Sequence, residues 1–354
     1  MQKILNNLKK IRAKHKLRKD VNHWIEVVSI KKNVEPLSNE FKKEIQSYYK
    51  QFKIPIKKDL NTFKFYKNVT GIEDVHFLPE SLFFLEILPL LNNRNLVSAY
   101  GDKNVCEVFF PNFDQPKTIV KCINGFYYIK NKLVTQDNMY KKLMNYPEIV
   151  VKKALDGKSG GKDVEFLTNI NEISVDSLEG RFGSNFIVQE PLKQHASLNN
   201  INPSSINTLR IFSYLKQDGE VIILSSSLRF GRKGSRLDNA SSGGLHVGID
   251  KEGTTKKIAC DVFGKFFTSD EVKEKFANIK IPSFKETLKL IKNNHQQFSQ
   301  MRFIAWDIAI DEQNKPILIE VNLGGPGIKL GQIDNGPIFG EYTDEILFDL
   351  SKKM

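Results

Sequence analysis

Three oxygen-bearing side chains near the C-terminus have the type and spacing to hold a hard cation. Within RFIAWDIAIDEQNKPILIEVNLGGPG, residues 302–327, FIAWDIAI and PILIEVN are apolar, β-branched runs joined by the turn formers of 311–316, which predicts a β-hairpin. Side chains on a strand alternate between faces, so Glu320 and Asn322 project from one side. Asp307 lies thirteen residues before Glu320 on the partner strand, and folding the hairpin back brings the three together. A few carboxylate and amide oxygens, with water and substrate phosphates completing the shell, suit Mg²⁺. Acidic residues are also common on the wet face of a hairpin. Here Trp306, Ile308 and Ile319 mark the strands as mostly buried, where an unpaired carboxylate is costly.

Further chemistry sits upstream. Thr208 and Arg210 begin one predicted strand and Arg229 lies on the next, so pairing of the two would set two guanidiniums near one spot. Guanidinium is planar, bidentate and permanently charged, which suits a carboxylate becoming an acyl phosphate. A charge-rich loop that is simply solvated is the plainer alternative for 229–244. Earlier still, EIVVK and VEFL are β-runs on either side of a turn carrying Gly157, Ser159, Gly160 and Gly161. Glycines there let backbone N–H groups approach phosphate oxygens. The turn joins strands and lacks G-x-x-x-x-G-K-[ST], so it is not a P-loop, and a flexible turn without a ligand is the competing reading.

In this order the motifs resemble those of ATP-grasp enzymes: W-D-I-A-I…P-I-L-I-E-V-N-x-x-x-P-G is similar to their metal-binding end, and more narrowly to the sugar-transfer-associated ATP-grasp group. The likeness runs from about Leu96 to the C-terminus. It implies that Asp307, Glu320 and Asn322 hold two Mg²⁺ ions, replaceable by Mn²⁺, against the phosphates of ATP. It implies that Lys152, with Ser159, Gly160 and Gly161 of the flap, contacts those phosphates. Lys153 stands where many relatives have proline, and either lysine can point inward. The Asp102–Lys103 pair is similar to the family's opening segment, which makes Lys103 a phosphate ligand or an ordinary surface lysine. FIVQEPL matches the hinge at the adenine edge, so Gln189, Glu190 and Leu192 become nucleotide contacts. His195 stands where the family usually has an acidic ribose ligand. The pattern N-T-x-R, with Asn207, Thr208 and Arg210, and D-N-x-x-x-G-G, with Asp238 and Asn239, fall in the family's active site. Ala305 replaces an arginine many relatives carry two residues before the metal aspartate, which leaves that work to Arg210 or Arg229.

The elements that must position these groups set the fold expectation. It is α+β: an N-terminal helical and α/β segment over 1–95, a flap subdomain of antiparallel strands over 96–185, and a larger antiparallel-sheet subdomain over 186–354, with ATP between the two sheets. In the first segment FKKEIQSYYKQF reads as a helix, 59–70 as a loop or short strand, and 77–91 as a buried helix. Asn124–Gly125 predicts a hairpin turn. Residues 1–19 place Ile4, Leu5, Leu8, Ile11 and Leu17 at helical spacing among Lys and Arg, as in a helix docked on its own domain or lying on an anionic membrane surface. No run approaches eighteen apolar residues and no signal-peptide core is present, so a cytoplasmic setting is expected, with peripheral contact at the inner membrane face as the variant. Three cysteines without C-x-x-C spacing argue against a disulfide framework.

The formal charge of +12 favours anionic partners without choosing among them. Aromatics do not interleave with the basic residues as a nucleic-acid stacking platform requires. The expected function is an ATP-dependent carboxylate–amine ligase working on a small carboxylate, amine or sugar-derived substrate in surface polysaccharide synthesis. Its rivals are a kinase of a sugar or polyol hydroxyl on the same site, and a basic nucleic-acid or membrane-surface binder with no activity.

Overall fold

The computed structural model describes residues 2–29, 33–155, 163–168, 170, 175–238 and 243–353. Gly157, Ser159, Gly160, Gly161 and Asn239 lie outside the described residues. Two sheets organise the rest, and every pairing in both is antiparallel, as the α+β expectation requires.

The smaller sheet contains β1 (Thr118–Ile123), β2 (Phe126–Ile129), β3 (Lys132–Val134), β4 (Ile149–Lys153), β5 (Val164–Leu167) and β6 (Phe186–Gln189), in the order β3-β2-β1-β6-β4-β5. Asn124 and Gly125 turn β1 into β2 with φ of 51° and 82°, the left-handed pair that matches strand twist in a tight hairpin. Helices Gln136–Leu143 and Val175–Phe182 bury Met139, Leu143, Leu178 and Phe182 against it. The expected boundary after 185 cuts this sheet, because β6 lies between β1 and β4 at its centre. The segment before the sheet also departs from the flap assignment. Phe110 and Phe113 pack on Trp306 of the other sheet, with centroid separations of 5.5 and 6.2 Å.

The larger sheet contains β7 (Thr208–Leu215), β8 (Val221–Phe230), β9 (Leu245–Gly248), β10 (Ala259–Cys260), β11 (Phe266–Phe267), β12 (Phe303–Ile310) and β13 (Pro316–Asn322), in the order β11-β10-β9-β8-β7-β12-β13. The β12–β13 turn is organised by Asp311, whose Oδ1 accepts the backbone N–H of Gln313 and of Lys315 at 3.0 and 2.7 Å. Alternation then divides the sheet. Leu209, Ile211, Ile304, Trp306 and Ile308 face a core that includes helix Phe284–His295. Phe212, Tyr214, Phe303 and Ala305 face the N-terminal helices and the C-terminal helix Thr343–Ser351. Further along β7 and β12 this second face turns from apolar to charged, and the site begins there.

The N-terminal segment is helical, with no strand among its described residues. It contains α1 (Gln2–Ser29), α2 (Asn39–Gln51) and α3 (Leu60–Thr70), then a helical run over 80–91 with a π turn at Phe83–Ile87. The loop or strand expected at 59–70 is thus a helix, because Phe63, Tyr66 and Val69 recur at helical spacing and all are buried. Of the stripe expected over 1–19, the side chains of Ile4 and Leu5 lie outside the described residues and Leu17 is half-buried. Leu8 and Ile11 are 51% and 63% exposed, whereas Val21, Trp24, Ile25 and Val28 pack into the core. Arg18 forms a two-pronged bond to Asp59 at 2.8 and 2.6 Å, and Lys10 and Lys14 reach Glu86. No described helix is long and apolar enough to cross a membrane.

Candidate active site

Strand register brings the predicted groups together. Thr208 pairs with Arg229, Arg210 with Ser227 on one side and Asp307 on the other, and Asp307 with Glu320. Directly opposed residues share a face. The pairing Ala305–Asn322 puts Asn322 on that face too. Arg229, Arg210, Asp307, Glu320 and Asn322 therefore form a row, and all but the buried Asp307 line a cleft of about 710 Å³.

Asp307 is the centre of the row and is 1% exposed. Arg210 Nε and Nη2 donate to its two oxygens at 2.5 and 3.0 Å, Arg229 Nη2 lies 3.3 Å away, and Asn322 Nδ2 donates at 3.2 Å. Burial alone would raise the Asp307 pKa, but the two guanidiniums outweigh it and hold the carboxyl well below its ordinary range. Arg229 also donates to Thr208 Oγ1 at 3.1 and 2.9 Å, and the Thr208 hydroxyl donates to Asp238. Among the described residues neither arginine uses its Nη1 in a hydrogen bond, and both arginines line the cleft.

The opposite wall comes from the smaller sheet and the segment below it. Lys103 Nζ sits 3.2 Å from Glu320 Oε2. Lys152 and Lys153 both line the cleft, but they differ. Lys153 is neutralised by Asp163 at 3.0 Å, whereas Lys152 makes no hydrogen bond or ion pair among the described residues. Burial, then the neighbouring Lys103, pushes the Lys152 pKa down to about 8. A cation without a partner beside a cleft is poised for an anion. Arg236 ties the two walls, donating to Glu148 at 2.6 Å and stacking 3.8 Å over the Phe166 ring.

The hinge residues lie elsewhere. Gln189, Glu190, Leu192 and His195 are not among those lining the cleft. Gln189 is buried and donates to Pro116 O at 3.2 Å, Glu190 pairs with Lys117 at 2.5 Å, and His195 Nδ1 accepts from the N–H of Ser197 as the cap of Ala196–Asn199. Asn207 gives its amide to Leu198 O and Asn202 O, holding the loop before β7.

Several cleft residues carry no motif signal. Ser227, His246, Lys329 and Asp334 extend the cleft beyond the arginines, as do Trp24 and Glu80 of the N-terminal segment. Lys329 lies 3.7 Å over the Trp24 ring, and burial lowers its pKa to about 8. Burial raises the pKa of Glu80, which accepts backbone N–H groups of Lys329 and Ile328. Polar residues in otherwise apolar stretches are the signal that was available.

The donor set fits a hard cation. Two carboxylates and an amide converge, and no group of three His, Cys, Asp or Glu among the described residues could hold a metal unaided, so phosphate oxygens would have to complete the shell. Asp307 needs to lose no proton to take part.

Paired antiparallel sheets closing on a cation-lined cleft define the ATP-grasp class. The chain matches the family described as sugar-transfer associated ATP-grasp over residues 85–346, most of its length, and belongs to that family. No curated protein matches it in sequence. Among solved structures it is similar to D-alanyl-alanine synthetase A from Vibrio cholerae, at 14% identity over 73% of this chain and 66% of that one, TM-score 0.41. It is similar to the biotin carboxylase domain of Hydrogenobacter thermophilus 2-oxoglutarate carboxylase, at 12% identity over 70% and 45%, TM-score 0.42. It is similar also to the ATP-grasp ligase PsnB complexed with a minimal precursor, at 11% identity over 73% and 64%, TM-score 0.43. The chain thus spans less than two thirds of each of these structures.

Proposed function

We propose that this protein is an ATP-dependent carboxylate–amine ligase that forms ADP and phosphate through an acyl phosphate. The observation that carries the reading is the single sheet face on which Arg229, Arg210, Asp307, Glu320 and Asn322 align, opposite Lys103, which pairs with Glu320, and Lys152, which has no partner among the described residues. Lys152 and Lys103 bind the nucleotide phosphates, and the Nη1 edges of Arg210 and Arg229 orient a substrate carboxylate. Mg²⁺, as two ions or with Mn²⁺ in its place, would be held by Asp307, Glu320 and Asn322 and would neutralise charge on the β- and γ-phosphates. A carboxylate oxygen attacks the γ-phosphorus and ADP leaves. An amine nitrogen then attacks the acyl carbon and phosphate leaves. No covalent bond to the protein is required.

Family membership supports a setting beside glycosyl transfer, in capsular or exopolysaccharide synthesis, with an acidic sugar joined to an amino acid or small amine. A cytoplasmic protein would do this work at the inner membrane face, where the exposed Leu8 and Ile11 of α1 lie among Lys9, Arg12 and Lys16. The test is incubation with ATP, Mg²⁺, hydroxylamine and a panel of amino acids and uronic acids. Hydroxamate with stoichiometric ADP is expected. ADP without hydroxamate from any acid counts against the ligase, and a stable phosphomonoester would move the phosphate to a hydroxyl.

A further inference from the structure

Resting on the ligase reading, we infer that His246, held by Asp334, is the base that takes the proton from the amine entering the cleft. His246 is directly opposite Arg229 across β8 and β9, so its side chain rises from the same face as the arginine row. Directly opposed Cβ atoms are about 5 Å apart. His246 Nδ1 lies 2.8 Å from Asp334 Oδ2, and the two side chains are only 1% and 3% exposed. A carboxylate accepts, so Nδ1 carries the hydrogen, and in the neutral ring Nε2 is then the nitrogen with the lone pair. That Nε2 is buried, has no hydrogen-bond partner among the described residues, and belongs to a residue lining the cleft. Ser227 Oγ, opposite Arg210, is also buried, unpartnered and in the cleft lining.

The other fully buried histidine of the sheet core shows what a structural role looks like. His295 uses both ring nitrogens, Nδ1 with Ser213 Oγ and Nε2 with Met301 O, each at 2.7 Å. His246 leaves one nitrogen buried and without a partner among the described residues. A buried polar atom left unsatisfied is costly, so two of them beside two arginines point to a ligand that supplies the missing bonds.

Asp334 is fixed for its part. It sits on helix Lys329–Asn335, Lys256 Nζ donates to its carbonyl, and Asn335 Nδ2 donates to Ser225 Oγ and Ser226 O at 2.8 and 2.9 Å. Gly248 of β9 allows the close approach of that helix: a Cβ there would lie 2.9 Å from Asp334 O. The charged and titratable groups around His246 are Arg229 on β8, Cys260 on β10, Asp334 and Lys329 on the helix, and Lys256 beyond β9.

In the step itself, the amine lone pair forms the C–N bond and the C–O bond to phosphate breaks with its electron pair on the phosphate. The N–H proton passes to His246 Nε2, and the imidazolium is balanced by Asp334 until the proton leaves to solvent. His246 then touches substrate, and Asp334 is a positioning residue.

The test compares two nucleophiles in wild type and His246→Gln, using the acids that yield hydroxamate. Hydroxylamine is already a free base at neutral pH and needs no catalyst, whereas amino-acid amines, used as the acceptor panel, do. His246→Gln should form hydroxamate at the wild-type rate while amide formation falls about 100-fold or more, the scale of general-base catalysis. Asp334→Asn, read the same way, should show the same split at smaller size and serves if the first variant does not fold. Equal rates with both nucleophiles, or equal loss with both in a variant that still binds nucleotide, overturns the inference. A wild-type protein that yields no hydroxamate removes the ligase reading and this inference with it.

Discussion

If Lys152 contacts the nucleotide phosphates as proposed, nucleotide binding should weaken as pH rises. Its pKa in the free protein is pushed to about 8, against an ordinary lysine value of 10.5, because it is buried beside Lys103. A triphosphate placed against it favours the charged form and returns the pKa toward the ordinary value. The folded free protein binds fewer protons at this site than the complex does, so binding takes up a proton above pH 8, and affinity falls as pH rises. With 8 free and 10.5 bound, the linkage relation gives a loss of about thirtyfold between pH 7 and pH 9.5, and an uptake of about 0.9 proton at pH 9. Titration calorimetry with a non-hydrolysable ATP analogue and Mg²⁺, run at pH 9 in two buffers of different ionisation enthalpy, measures the uptake directly. Lys152→Met should bind more weakly at pH 7 and lose most of the pH dependence. Affinity that is flat from pH 7 to pH 9.5, or a slope unchanged in Lys152→Met, would refute the placement of this lysine on the phosphates.

Asp307→Asn leaves Arg210 and Arg229 facing each other without their carboxylate, which should cost about 3–5 kcal/mol and lower the thermal midpoint. Glu320→Gln removes a carboxylate that is 33% exposed and whose ion pair among the described residues is with Lys103, so its midpoint should stay near wild type while Mg²⁺-dependent stabilisation by nucleotide disappears; equal midpoints for the two variants would contradict the burial argument. His295 has its pKa pushed down to about 4 by burial, so the unfolded state binds the extra proton first and stability should fall by about 2.5 kcal/mol as pH drops from 7.5 to 4.5. Urea denaturation of wild type and His295→Gln at both pH values checks it, the variant showing a smaller difference. Gly253→Ala forces a Cβ to within 2.6 Å of the Phe284 ring at a φ of +83°, and should destabilise by about 2 kcal/mol or more in denaturant titration with nucleotide affinity unchanged.

The parts legible in the sequence were those set by local pattern. The β12–β13 hairpin could be read because both strands are apolar and Asp311 and Asn314 are turn residues, and its register then delivered Asp307 opposite Glu320. Asn124–Gly125 identified its turn by conformational preference. The expected loop or short strand at 59–70 is a helix whose stripe of Phe63, Tyr66 and Val69 is made decisive by packing. Membership of β6 in the smaller sheet is a matter of which strands it pairs with, and nothing in FIVQ specifies β1 and β4. The difference between Lys152 and Lys153 lies in Asp163, which pairs with Lys153 and which no local pattern ties to it. His246 and Asp334 meet across 88 residues, and neither stands in a motif that announces the other.

The central claim is that a substrate carboxylate takes the γ-phosphate in this cleft. Its most direct test uses a carboxylic acid labelled with ¹⁸O in both oxygens, chosen as one that raises the thermal midpoint in the presence of Mg²⁺ and a non-hydrolysable ATP analogue. After turnover with ATP and an amine, each released phosphate should carry one ¹⁸O from the acid, because the C–O bond of an acyl phosphate breaks when the amine attacks. Phosphate released without label would contradict the account.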